Sequence, residues 1–307
     1  MKNTYKILKL KTFKEDTLFN NLKNSLREDF SLSLSQKDFN ELIRQKRIKV
    51  KGQTVQEQEV LLKEDEFYSV SLTKAQLRSW SLPIKETIKI TESMVVHDEV
   101  IFLVGNKPAN ISSNATLQST RDNFLSAMTR YISGKHKEKY LALHHRIDFE
   151  TSGLLLFCKK KSHNKYFTEL FEKKIITKTY LAVVQDSEDK FQDRLVTNFL
   201  DRDPKDKMKM LRVSNGGKSA KTKFKKVSHS NGYSLVEATP ETGRLHQIRV
   251  HLSEMGFPIS GDSTYGAEAH QRTLLHAYKL KFPHPETKKI VEFCAPIPDD
   301  FPKDLYI

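Results

Sequence analysis

The chain has 307 residues, 37% of them hydrophobic, and 52 Lys plus Arg against 38 Asp plus Glu, a formal charge of +14. That length sustains a real core and two domains, and a charge this basic points to a polyanionic partner. Two cysteines far apart, Cys158 and Cys294, exclude a disulfide framework and a paired zinc-ligand motif and fit a reducing compartment. The N-terminal MKNTYKILKLKTFKED interleaves lysines with apolar residues, without the continuous apolar core of a signal peptide. No stretch approaches the length of a membrane span. A cytoplasmic protein with no membrane partner is expected.

Tyr5, Ile7, Leu8 and Leu10 nearly alternate with lysines and predict a first strand. Asp16 is placed to cap a helix carrying Leu18, Phe19, Leu22 and Leu26, and Ser35 a second with Phe39, Leu42 and Ile43 on its apolar face. The basic cluster Arg44, Lys46, Arg47, Lys49 and Lys51 follows. It reads either as a solvated face or as cations offered to a phosphate backbone. Short strands around a Gly52 turn close on Phe67 to Leu72. Residues 81–92 read as a linker between a domain at 1–80 and a larger one at 93–307.

In the larger domain, Met94 to Val96 and Val100 to Val104 predict two apolar strands. NKPANISSNA follows, and helical apolar spacing runs from Leu117 to Ile132 through Phe124, Leu125 and Met128. In HHRIDFETSGLLLFCKK, His144 to Lys160, Asp148 precedes a Thr151-Ser152-Gly153 turn and the apolar run Leu154 to Phe157. On the residues alone, Asp148 is either a turn residue that bonds nearby backbone or an acid held for chemistry on a loop opening onto a buried strand. Ser162 is expected to cap a helix with Phe167, Leu170 and Phe171. Tyr180 sits in an alternating, β-rich run, where a lone tyrosine is ordinarily a core or interface residue.

The lysine-rich stretch from Leu200 ends in a strand from Thr222 to Val227 and suits either RNA phosphates or solvent. In ETGRLHQIRVHLSEMGFPISGDSTYG, Leu245, Ile248 and Leu252 carry helical spacing, Arg249 falls off that face, and Gly256 marks a stop. His246 and His251 are five apart, so they do not form an i, i+4 metal pair. No dinucleotide glycine fingerprint or P-loop occurs.

HRIDFETSGLLLF resembles the signature of the RluA-like pseudouridine synthases, in which an Asp follows His-Arg-Leu and precedes a Thr-Ser-Gly turn; here Ile147 stands for the Leu. Further motifs follow in family order: Lys107-Pro108, where Ala109 and Asn110 replace the usual glycine-containing continuation, the Lys-x-Tyr of Tyr180, the Arg249 segment, and RTLLHAYKLKFPHPETKKIVEFCAP. LIRQKRIKVKGQTV resembles part of an S-four-type RNA-binding domain.

The resemblance implies an α+β catalytic domain, with a large, mostly antiparallel sheet and flanking helices, preceded by a small α/β RNA-binding domain. It implies an isomerase that needs no cofactor or metal and acts on ribosomal or transfer RNA. Oligomeric state is open, a monomer being favoured. Asp148 is then the catalytic acid, Tyr180 lines the site, and Arg249 pairs with Asp148. Arg146 takes the space of a displaced base, and Lys107 joins it and the Arg44–Lys51 cations as an RNA contact. Burial alone would raise the Asp148 pKa; a bidentate arginine opposes this. On that view Arg249→Met loses activity while the fold survives. Two other readings remain: a non-catalytic RNA-binding or ribosome-assembly protein on the same fold, and a carboxylate hydrolase pairing Asp148 with Glu150.

Overall fold

A computed structural model describes residues 5–12, 15–30, 32–73, 76–77, 87–115, 122–135, 140–206, 209–268 and 271–306. The chain divides into two compact units, Met1–Thr87 with Ala115–Asp122, and Ile88–Asn114 with Asn123–Ile307. Residues 81–86 of the expected 81–92 linker fall outside the described residues, as does the expected helical start at Leu117.

In the first unit, strands Tyr5–Lys11 (β1), Ile48–Val50 (β3), Gln53–Thr54 (β4) and Phe67–Thr73 (β6) form one sheet in the order β1-β6-β3-β4. Asp16–Thr17 (β2) pairs with Leu61–Leu62 (β5). Alternation along β1 and β6 sends Leu8, Leu10, Tyr68, Val70 and Leu72 inward against helices Leu18–Phe30 (α1) and Gln36–Arg44 (α2). The β3–β4 turn is Lys51-Gly52, both at positive φ (50° and 83°), as a two-residue hairpin with right-handed strand twist requires. Ser35 caps α2, its hydroxyl accepting Asp38 N–H at 3.1 Å. Asp16 does not cap α1. The residue is drawn into β2, and the Thr17 hydroxyl accepts Asn20 N–H at 3.2 Å instead.

The second unit is α+β. Its strands are Val95–Asp98 (β7), Phe102–Lys107 (β8), Ala142–Leu143 (β9), Ser152–Cys158 (β10), Thr177–Gln185 (β11), Arg194–Arg202 (β12), Met210–Val213 (β13), Lys218–Ser230 (β14), Tyr233–Pro240 (β15), Leu275–Pro283 (β16) and Ile290–Cys294 (β17). They make one eleven-stranded sheet in the order β13-β12-β14-β15-β11-β16-β10-β8-β7, with β17 on β16 and β9 on β10. Between these strands every described pairing is antiparallel but one: β10 runs parallel to β16 through Ser152↔His276 and Gly153↔Ala277. Gly153 sits at φ +113°, and a Cβ there would lie 2.3 Å from Ala277 O. Only glycine permits this approach.

All seven residues of β10 are buried, because the sheet is covered on both faces. Leu155 and Phe157 pack with Phe124, Met128 and Ile132 of helix Phe124–Lys135 (α3). Leu154, Leu156 and Cys158 pack with Phe167 and Leu170 of helix Asn164–Glu172 (α4). Ser162 does not cap α4; it lies in a 3-10 turn before the helix and meets the His163 ring at 3.1 Å. Helix Gln247–Glu254 (α5) is buried from Gln247 to Leu252, so Arg249 has no solvent face to turn to. Gly256 (φ +83°) ends α5, with Gly256 N–H on Ser253 O and Phe257 N–H on Leu252 O, the two bonds of a Schellman stop.

Candidate active site

Asp148 lies in the irregular segment just before β10, and neighbours on every side hold that segment. Ser113 Oγ donates to Ile147 O at 2.8 Å and accepts Ile147 N–H at 3.2 Å. The Lys107 ammonium donates to Phe149 O at 3.2 Å and to Pro108 O and Ile111 O at 2.9 and 2.7 Å. Thr273 Oγ1 donates to the Glu150 carboxylate at 2.5 Å. Arg272 is 4% exposed and fork-bonds Asp300, while its Nη1 donates to Thr273 O and Leu275 O. The acid is therefore carried by a multiply bonded loop at the parallel β10–β16 junction.

Lys107 is wholly buried with three carbonyls on its ammonium, so it is not a surface contact for RNA. Burial draws its pKa down to about 7, against the pull of Asp148. Asn110, in the position of a family glycine, has φ 61°. Asn is among the few residues that adopt left-handed backbone readily, so the loop keeps a glycine-like bend. Glu150 is held by Thr273 and does not line the cavity at Asp148. The Asp148–Glu150 pair that a hydrolase reading called for is therefore not formed at the cavity.

The cavity measures about 940 Å³, large enough for a nucleotide. Arg146, Asp148, Tyr180, His246 and Arg249 line it, with Lys174, Lys178, Arg202, Lys221 and Arg244 among the further cations. Lys178 and Tyr180 are two apart on β11 and so share its cavity face. Opposite Thr179 and Tyr180 the register skips Tyr278 of β16, so the bulge and its bend fall on β16. Tyr180 is 8% exposed. Burial first, and then the charge of Asp148, raise its pKa and keep the hydroxyl protonated. Lys178 is drawn down by burial.

Arg249 reaches Asp148 Oδ2 with Nη1 at 3.8 Å. Its tight partner is another carboxylate, Asp262, bonded in a fork through Nε and Nη2 at 2.7 Å each. Burial opposes the guanidinium charge, but the Asp262 bonds and the charges of Asp262 and Asp148 together raise its pKa. The expected bidentate pair exists, then, with a different acid. Asp148 meets the remaining Nη1 edge. His246 Nε2 stands 4.0 Å from the same Asp148 oxygen, and Tyr265 lies beyond it, with its ring 5.0 Å from the Arg249 guanidinium.

Nothing in the sequence marks Ser113, Asp262, Tyr265 or Arg272 as part of the site. Asp262 stands 13 residues past its arginine in GDSTYG, where an Asp between glycine and serine reads as a turn. Of the first unit's basic cluster, Arg44 is forked onto Glu41 and Lys51 is paired with Glu66 at 2.8 Å. Arg47 lies over the Tyr5 ring at 4.5 Å. Lys46 and Lys49 are exposed.

Residues 101–254 match the RNA pseudouridylate synthase family. The chain is 31% identical over 243 residues to ribosomal large subunit pseudouridine synthase D of Neisseria meningitidis serogroup A, covering 73% of this chain and 64% of that protein. It is 36% identical over 217 residues to the RNA pseudouridine synthase YlyB of Bacillus subtilis, covering 67% and 69%. Among solved structures, human RNA pseudouridylate synthase domain containing 1 superposes with a TM-score of 0.56 at 26% identity, over 71% of this chain and 89% of that one. Human RNA pseudouridylate synthase domain containing 4, at 23% identity and a TM-score of 0.55 over 67% and 88%, shares the fold. The chain belongs to the RNA pseudouridylate synthase family.

Proposed function

We propose that this chain isomerises uridine to pseudouridine in structured RNA, with Asp148 as its essential acid. The observation that carries the reading is Asp148, held on an over-determined loop and facing a cavity rich in cations beside Arg249 and Tyr180. The names of several relatives favour ribosomal RNA of the large subunit as the substrate class. The reaction breaks the uridine N1–C1′ bond and forms C5–C1′, while the C5 hydrogen is lost and N1 gains one; no group donor or redox partner enters. Asp148 acts as an anion, attacking C1′ or removing the C2′ proton. Arg249 supports its charge, and Asp262 holds Arg249 in place. Tyr180 packs against the base. Arg146, exposed at the rim, fills the stack that the flipped nucleotide leaves, a step that costs a few kcal/mol. Arg44, Lys46, Arg47, Lys49 and Lys51 of the N-terminal unit, read as S-four-type, add phosphate contacts.

Pseudouridine mapping of total RNA from cells with wild-type protein, no protein, or Asp148→Asn tests this. Sites lost in both the deletion and the Asn variant are expected. A deletion that changes no site would move the non-catalytic RNA-binding reading to first place. A site lost in the deletion but kept by Asp148→Asn would relocate the active centre.

A further inference from the structure

His246 stands beside the acid in the left-handed backbone region, which few residues other than glycine occupy. Its φ is +51° and its ψ +19°, and strained left-handed residues persist only where their surroundings over-determine them, often at functional sites. Nδ1 lies 2.9 Å from the Tyr265 hydroxyl and Nε2 4.0 Å from Asp148 Oδ2. The phenol oxygen also accepts Met210 N–H at 2.9 Å.

A neutral imidazole has two ways to sit here. With its proton on Nδ1, the ring donates to Tyr265, the phenol proton has no acceptor among the described residues, and the Nε2 lone pair opposes the Asp148 carboxylate. With its proton on Nε2, Tyr265 donates to Nδ1 and an N–H faces the carboxylate. The second pattern gives the phenol proton an acceptor and turns an N–H, not a lone pair, toward the carboxylate. Arg249 approaches the same oxygen, Oδ2, at 3.8 Å. Two donors thus converge on one oxygen of Asp148.

We propose that His246 is a positioning residue for Asp148: a neutral ring whose Nε2–H, fixed by the Met210–Tyr265–His246 hydrogen-bond chain, joins Arg249 in anchoring Oδ2 and leaves Oδ1 to face the ribose. The role of Asp148 in this statement rests on the function proposed above. Both donors stand about 1 Å beyond hydrogen-bond reach, a gap of the kind that closes when substrate binds. The ring does not serve as a base, since Nδ1 is occupied and Nε2 carries a proton. The charged and titratable groups facing it are Asp148, Asp262, Arg249, Arg146 and Tyr265. Burial is the largest influence and lowers the ring's pKa; the two carboxylates oppose it and the two arginines add to it.

The test uses the full chain with 15N-labelled histidine. The His246 signals are those missing from His246→Asn, a residue suited to left-handed backbone. Nε2–H shifts are expected in the wild type, and a mixed tautomer in Tyr265→Phe. Turnover is then measured on an unmodified transcript of large-subunit ribosomal RNA. His246→Phe should lower kcat at least tenfold with little change in KM, and His246→Gln, which keeps a side-chain N–H, should recover most of that loss. If His246→Phe does not fold, His246→Asn takes its place with the same expected loss. A wild-type Nδ1–H tautomer, a wild-type rate in His246→Phe, or a Gln variant as slow as Phe overturns the proposal. Wild-type protein inert on every RNA overturns the proposed activity instead; the tautomer alone then decides whether the hydrogen-bond chain exists.

Discussion

Two groups of cations in this chain behave oppositely. Lys107, Arg249 and Arg272 are buried and spend their donors on carbonyls and carboxylates around the Asp148 loop. Arg44, Lys46 and Lys49 are exposed on the first unit. Net charge counts both groups alike, yet only the second is available to a polyanion. The first surrounds an acid: positive charge placed inside holds the Asp148 loop still, while positive charge placed outside faces solvent.

The sharpest way to break this contrast is Arg249→Met. It strands Asp262, which is 1% exposed, and removing one partner of a buried pair costs about 3–5 kcal/mol. Urea unfolding should reveal that loss alongside lost activity, a change from the expectation of an intact fold. A loss below about 1 kcal/mol, the scale of surface pairs, would mean that the buried arginine is no more structural than an exposed one.

A smaller effect is expected at Lys107. Its folded pKa, near 7, lies below its ordinary 10.5. Between those values the unfolded chain holds a proton that the folded chain has released, so stability rises with pH, by at most about 1.4 kcal/mol per pH unit. Below about pH 7 both states are protonated and the contribution is flat. Comparing unfolding of wild type and Lys107→Met from pH 6 to 10 should show that rise only in the wild type; parallel curves would place the ammonium in contact with water.

The smallest effect on the fold belongs to the triple change Arg44→Ala, Lys46→Ala, Lys49→Ala. The unfolding midpoint should stay put. The salt dependence of RNA binding should flatten by about 0.7–0.9 per phosphate contact removed. An unchanged slope would remove these residues from the RNA surface.

What the sequence reveals follows the range of the interactions. Alternation in β1 and β6 and the Ser35 cap are local, and they are legible. Asp148 and Tyr180 stand out through motifs, and they do line one cavity. Long-range partners stay hidden: Asp262 for Arg249, Thr273 for Glu150 at 123 residues' separation, and Tyr265 for His246. Lys107 misleads because a lysine in a loop reads as solvated, and nothing nearby announces three carbonyls closing over it. The caps at Asp16 and Ser162 fail by one or two residues, where a neighbour's hydroxyl or a tighter turn takes over the helix start.

The parallel junction has a consequence in time. Asp148 is translated long before the residues that seat it: Ser152 bonds His276 across 124 positions, and Arg272 locks onto Asp300. While the chain emerges from the ribosome, the acid is present but unplaced. It gains its setting only when the stretch from Arg272 to Asp300 arrives, so the loop that carries the acid is made well before it can be fixed.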